Sequence, residues 1–315
     1  MVDLERFRGC LLGLAVGDAL GAAVEFSPRG TFPPITDMIG GGPFGLKPGQ
    51  WTDDTSLALC LAASLVEQQR FDPDDIMSRF VRWWREGYMS CTGSCFDIGT
   101  TTSGALRRYT LTGEPFAGSE APGQAGNGCI MRLAPVPMFY FPKIDEAEYY
   151  AAQSSRLTHG AQECVDCARL LARIVCRALA GKDRDEVLFA DATSFQGAPS
   201  VVAIARGQYT KKSEQQIEGS GYVVRCLEAA LWCFYHAGDY REAVLRAVNL
   251  GDDTDTTAAV CGQVAGAFWS MKGIPQSWLD RLAMRELIVS LADQLAQHAQ
   301  RNLTDAPDPT EGNES

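Results

Sequence analysis

The chain has 315 residues, of which 46% are apolar and 21% charged, the balance of a globular protein with ample material for a core. A formal charge of −11 excludes a broadly basic surface that would track nucleic-acid phosphates unaided, so a polyanionic ligand would need metal ions or backbone amides. Eleven cysteines without regular disulfide spacing, many inside apolar stretches, point to a reducing cytoplasm.

The first predicted element spans residues 4–26. Gly9, Gly13, Gly17 and Gly21 recur every fourth residue and so share one helix face. Glycine costs helix stability, and a whole stripe of it predicts close backbone approach by a neighbour. Asp18 and Glu25 interrupt the apolar run, which argues against a membrane span or a signal peptide. A Gly/Pro-rich loop over 27–50 follows, then helices over 54–69 and 72–86, the second opened by Asp72-Pro73-Asp74-Asp75. Residues 92–128 are rich in Gly, Thr and Ser, with a short helical insert at 103–109. Beyond them the pattern predicts helices at 146–156, 161–180, 183–193, 221–236, 239–249, 254–271 and 278–300. Strand signals are sparse, and no repeat or Pro/Ser-rich linker divides the chain. The expectation is an all-α, single compact orthogonal multi-helix domain over 1–302, with a disordered acidic tail over 303–315.

Two acid-rich segments lie two hundred residues apart: Thr52-Asp53-Asp54-Thr55 and Asp252-Asp253-Thr254-Asp255-Thr256. Helix capping alone accounts for the first, because Asp and Thr are good N-caps and acids suit a first turn. It does not account for three acids within four residues in the second. Both segments open helices of small and apolar residues suited to the core, and burying unpaired carboxylates is prohibitive. A hard divalent cation resolves the conflict. With no His or Cys in either cluster, Mg²⁺ or Mn²⁺ suits the oxygens better than Zn²⁺. The pair Cys164 and Cys167 has no partners at zinc-site spacing, and Arg107-Arg108 reads as a solvated helix end.

The ordered set of motifs resembles the ADP-ribosylglycohydrolase family, in particular its dinitrogenase-reductase-activating-glycohydrolase branch. The match begins with Gly13-Leu14-Ala15-Val16-Gly17-Asp18-Ala19-Leu20-Gly21 running to Glu25, then Thr52-Asp53-Asp54-Thr55 and Asp97-Ile98-Gly99. It continues with Gly126-Asn127-Gly128, Met131-Arg132-Leu133-Ala134-Pro135, Thr158-His159, Ser220-Gly221-Tyr222-Val223-Val224 and Gly251-Asp252-Asp253-Thr254-Asp255-Thr256-Thr257.

The resemblance implies an all-α hydrolase with two divalent metal ions, Mg²⁺ or Mn²⁺. Thr52, Asp53, Asp54, Asp253, Asp255 and Thr256 correspond to the metal ligands. Asp97 corresponds to the proton-transfer acid and Glu25 to a second acid near the metals. Gly99, Thr100, Gly123, Gly126, Asn127, Gly128, His159 and Tyr222 correspond to the substrate cleft. Three departures stand out: Asp252 where glycine is expected, Thr100 where many relatives carry asparagine, and Ala125 where some carry an aromatic residue.

The reaction implied is hydrolysis of the bond between ADP-ribose and an acceptor, arginine-linked by default. Serine, O-acyl-ADP-ribose and nucleic-acid ends are alternative acceptors, nucleic acid being disfavoured by charge, and a non-catalytic ADP-ribose-binding protein is a further alternative. The expected partners are an ADP-ribosylated protein substrate and the ADP-ribose product, with no membrane association, and the protein is expected to act as a cytoplasmic monomer.

Overall fold

A computed structural model describes residues 1–304. It begins with α1 (Leu4–Gly21), α2 (Asp53–Gln68), α3 (Pro73–Glu86) and α4 (Thr100–Thr112). Two short helices follow, α5 (Gly128–Met131) and α6 (Pro135–Tyr140), then α7 (Ile144–Arg156), α8 (Gln162–Leu179), α9 (Arg184–Phe189) and α10 (Pro199–Ala205). The last are α11 (Val223–Tyr235), α12 (Tyr240–Val248), α13 (Thr254–Trp269), α14 (Gln276–Arg281) and α15 (Arg285–Thr304). Among the described residues there is no strand, only isolated bridges such as Gly126 with Tyr222, so the all-α expectation holds.

Local chemistry explains most boundaries. In α3, Asp72 accepts a hydrogen bond from the Asp75 amide, Pro73 occupies the first turn and Gly87 ends the helix in the left-handed region. Its buried residues Ile76, Met77, Phe80 and Trp83 form one face. α1 stops at Gly21, five residues short of the predicted end, because the chain turns there to deliver Glu25 and Phe26. The predicted helix over 278–300 is two helices, broken at residues 282–284, where Leu282 is extended and Met284 has a left-handed φ of 53°. Short helices α5, α6 and α10 escaped the sequence pattern, since four to seven residues are too few to show a period. Of the tail expected over 303–315, residues 303 and 304 belong to the last turn of α15, and the remainder lies outside the described residues.

The centre of the fold is the pair α1 and α13, the most extensively packed helices of the molecule. Both are buried nearly all round, as befits core helices rather than amphipathic ones. The glycine stripe lets their backbones touch. A Cβ on Gly9 would lie 2.2 Å from the Gly266 carbonyl oxygen, on Gly13 2.3 Å from that of Gly262, and on Gly17 2.2 Å from that of Ala258. The contact is reciprocal, since a Cβ on Gly262 would lie 2.1 Å from the Gly13 oxygen. At the end of the stripe, a Cβ on Gly21 would meet the Asp255 backbone at 2.4 Å. The stripe thus sets the start of α13 against the end of α1. Tyr240 of α12 donates its hydroxyl to the Gly13 carbonyl at 2.9 Å from within the core.

Because the obstructing atoms are backbone, Gly17→Ala has no side chain to push aside. It is expected to destabilise the protein by about 3 kcal/mol, read as a lower urea midpoint with an unchanged slope. An unshifted midpoint would contradict the close approach.

Candidate functional site

The site assembles where α1, α2 and α13 meet. Asp18 of α1 is fully buried and carries the arrangement. Its carboxylate accepts from the amides of Thr52 and Thr55 at 2.8 and 3.0 Å, and from the Thr55 hydroxyl at 2.6 Å. It therefore caps α2 from another helix, in place of a side-chain cap from Thr52 itself. The Thr52 hydroxyl lies 3.0 Å from Asp18 Oδ1 and 3.1 Å from Asp255 Oδ2; its single hydrogen can serve only one of them. On α13, the Thr254 hydroxyl donates to the Gly21 carbonyl at 2.7 Å, and Thr256 donates to Asp54 Oδ1 at 3.3 Å. The two acid clusters are thereby joined.

Two loops complete a ring. Glu25 follows α1, and Asp97 sits before α4 with a left-handed φ of 57°. Glu25, Asp97 and Asp255 each offer a carboxylate oxygen within 4.8 Å of the others. Asn127 donates its side-chain amide to Asp253 Oδ2 at 2.9 Å, which ties the glycine turn Gly126-Asn127-Gly128 to the ring. Three buried carboxylate oxygens, all of them at this site, have no hydrogen-bond partner: Glu25 Oε2, Asp54 Oδ2 and Asp255 Oδ1. Unpartnered buried carboxylate oxygens facing one another are the donor set of a hard divalent cation, and the residues present fit one.

The electrostatics agree. Burial first, then the neighbouring carboxylates Asp97, Asp253 and Asp18, push Glu25 up to about 9. Asp97 rises to about 7 through burial and the charges of Asp18 and Asp253. Asp53, Asp54 and Asp255 are raised well above the carboxylate range, again through burial and then mutual repulsion. Asp18 rises to about 6, because burial outweighs the hydrogen bonds it accepts.

A cleft opens above the ring. It is lined by Glu25, Asp53, Asp97, Gly99, Thr100, Gly126, Asn127, Gly128, His159, Asp253, Asp255 and Thr256, all anticipated from the sequence. Thr52 and Asp54 lie beneath the floor, buried and bonded to the ring. Gly123, in an exposed turn, and Tyr222 are not among the lining residues; Tyr222 donates its hydroxyl to Glu163 Oε2 at 2.6 Å, while its neighbour Gly221 lines the cleft. The glycine turn offers fewer free amides than its composition suggests: Gly126 N–H donates to the Gln124 carbonyl and Asn127 N–H to that of Gly221.

Sequence reasoning passed over Asp18 as a site residue, and with it the lining residues Phe26, Thr101, Thr102 and Met131. For Asp18 a signal existed: a lone acid in a helix of small residues needs a partner in the core. Asp252 takes the left-handed φ of 62° that glycine would hold without strain. Its side chain is exposed and outside the lining set, so its role is backbone: its carbonyl accepts from Phe26 and its amide donates to Ser27.

A family model described as ADP-ribosylglycohydrolase matches residues 2–304. The chain belongs to the ADP-ribosylglycohydrolase family. Among its relatives, the ADP-ribosylarginine hydrolase Tri1 of Pseudomonas putida (strain GB-1) is 43% identical over 296 residues, spanning 94% of this chain and 79% of that protein. The ADP-ribosyl-[dinitrogen reductase] glycohydrolase of Rhodospirillum rubrum is 31% identical over 285 residues, spanning 89% and 91%. A solved structure, an ADP-ribosylglycohydrolase-related protein complex, superposes with a TM-score of 0.85 at 43% identity, covering 94% of this chain and 98% of that one. The family thus agrees with the ring of acids and with the order of motifs along the chain. No helix among the described residues is long and apolar enough to cross a membrane.

The raised carboxyl groups carry a pH prediction. The folded protein keeps protons that the unfolded chain releases near pH 4, so their stabilising contribution is whole below about pH 4. It is lost as pH rises through the folded values, up to about 9 for Glu25. Protein stripped with EDTA is therefore expected to melt at progressively lower temperature from pH 5 to pH 9. Added Mg²⁺ or Mn²⁺ should raise the melting temperature more at pH 8 than at pH 5, as thermal scans with and without EDTA would read. A stripped protein that melts higher at pH 9 would contradict the repulsive ring.

Proposed function

We propose that this protein is a metal-dependent hydrolase that removes ADP-ribose from modified arginine side chains of proteins. The observation that carries the reading is the buried oxygen ring at the base of an open cleft, in a chain 43% identical to a protein named as an ADP-ribosylarginine hydrolase. Asp53, Asp54, Asp253 and Asp255, with Thr52 and Thr256, are the residues to hold two divalent ions. Mg²⁺ or Mn²⁺, when bound, supplies positive charge and Lewis acidity at the ring.

The chain's own groups account for the rest. Hydrolysis at the distal ribose passes through an oxocarbenium-like state, so the leaving group and the attacking water both need a proton-transfer group at that carbon. Asp97, beside Glu25 at the edge of the ring, is the group to give and take the proton, since burial raises it toward neutrality in the ion-free protein. A departing guanidine is basic and gains from an acid at that place. Gly99 and Thr100 lie at the start of α4 beside Asp97, within reach of a ribose seated over the ring. Gly126, Gly128 and His159 line the same cleft next to the start of α4, to receive the diphosphate.

The same reading takes residues 1–302 as one domain acting as a monomer on ADP-ribosylated protein and releasing ADP-ribose. A reducing cytoplasm suits its eleven free cysteines.

The test is release of ADP-ribose from arginine-linked, serine-linked, O-acyl and nucleic-acid-linked substrates, each with Mg²⁺, Mn²⁺ or EDTA. Arginine-linked substrate should be cleaved fastest, EDTA should abolish turnover, and Asp97→Asn should lower kcat a hundredfold or more, on the order expected for lost acid–base catalysis. Turnover that survives EDTA would defeat the metal-dependent reading, and preference for another linkage would reassign the acceptor.

A further inference from the structure

Arg132 is among the largest fully buried side chains in the protein, and it faces neither solvent nor an acidic partner within salt-bridge distance. One end of its guanidinium donates to the Gly128 carbonyl, in the wall of the cleft. The other donates to the Ser154 carbonyl at 3.3 Å and to the Thr158 hydroxyl oxygen at 2.7 Å. Its planar group also lies 5.0 Å from the centre of the Phe80 ring. The Thr158 oxygen is in turn 2.8 Å from Nδ1 of His159, which lines the cleft. Burial lowers Arg132 only to about 10, so it remains a cation and a donor at neutral pH.

The direction of the hydrogens in this chain follows from counting. Arginine has donors and no acceptor, so the Arg132–Thr158 bond must place an arginine hydrogen on the threonine oxygen. Thr158 is fully buried and has one hydrogen of its own, for which His159 Nδ1 is the acceptor at hand. Were Nδ1 to carry the hydrogen instead, the oxygen would receive two and the threonine hydrogen would be stranded in the core, at a cost of about 1–3 kcal/mol. Nδ1 is therefore the acceptor and Nε2 carries the hydrogen. Nε2 is the nitrogen turned toward the glycine turn: a Cβ on Gly126 would lie 3.3 Å from it and one on Gly128 3.1 Å.

We infer that Arg132 and Thr158 are positioning residues that lock His159 in its Nε2–H tautomer, so that the cleft receives a neutral hydrogen-bond donor for a diphosphate oxygen. The opposite tautomer would aim a lone pair at the anion and repel it. The ring also stays uncharged: burial, then the Arg132 charge, lower His159 to about 3. His159 thus serves as a fixed donor, separate from the proton transfer assigned to Asp97. Its backbone is clamped as well, because His159 N–H donates to the Ser155 carbonyl at 2.7 Å and the Ser155 hydroxyl to the His159 carbonyl at 2.8 Å.

The inference rests on the proposed cleft, but its first test does not need turnover. The chain has three histidines, so ¹⁵N correlation spectra of the substrate-free protein can resolve each ring. His159 is expected to show an unprotonated Nδ1 and a protonated Nε2 at neutral pH. Thr158→Val removes the hydroxyl while keeping the shape, and should shift His159 to the Nδ1–H form or to a mixture; Thr158→Ser should restore the original pattern. With ADP-ribosylated arginine, Thr158→Val should raise KM about tenfold with a smaller change in kcat, as for a lost hydrogen bond to an anion. A wild-type ring protonated on Nδ1, or a Thr158→Val spectrum identical to wild type, would overturn the relay. Because the spectra need no substrate, failure of the hydrolase reading would leave them interpretable, and failure of the relay would leave the hydrolase reading standing.

Discussion

The contact between the α1 and α13 backbones is the constraint on which the site depends. Two helices separated by ordinary side chains can slide by a fraction of a turn at modest cost. Two helices whose carbonyls abut the α-carbons of facing glycines cannot, since any added atom or axial shift meets backbone. That register brings Asp255 to Gly21 at the end of α1. Thr254 then fastens to the Gly21 carbonyl, and Asp18, in the last turn of α1, reaches across to cap α2. Packing and polar chemistry are parts of one arrangement, because the glycines decide where the carboxylates stand.

The carboxylates themselves oppose the fold. A ring of buried acids whose oxygens lack partners would drive the helices apart if fully ionised, and the protein without cations answers by retaining protons. The same repulsion that opposes the fold suits the ring to receive divalent charge. Asp18 and Arg132 show two ways of making a buried charge tolerable. Asp18 surrounds its carboxylate with amide and hydroxyl donors, while Arg132 spreads its donors over backbone carbonyls and a threonine.

Long helices were legible because their causes are local. Asp72 followed by Pro73, and the apolar face Ile76, Met77, Phe80 and Trp83, state both the start and the buried side of α3. The glycine spacing in α1 foretold a close neighbour but not which helix would supply it. Four-residue α5 and seven-residue α10 left no periodic trace, and the break between α14 and α15 has no proline to mark it. In the site, dense acids announced themselves, whereas Asp18 was masked by a motif of small residues, and the motif Met131-Arg132-Leu133 gave no sign of what Arg132 would reach.

By itself, then, the sequence determined the all-α class, the two acid clusters and the family to which the ordered motifs belong. These rest on residue chemistry and on spacing along the chain, which require no knowledge of distant neighbours. Tertiary structure alone decided that Asp18 caps α2, that Tyr222 turns to Glu163 and that Arg132 reaches His159 through Thr158. Each of those is a hydrogen bond between segments that only packing brings together. A hydrogen bond needs a partner within about 3 Å, and one-dimensional order carries no such distance.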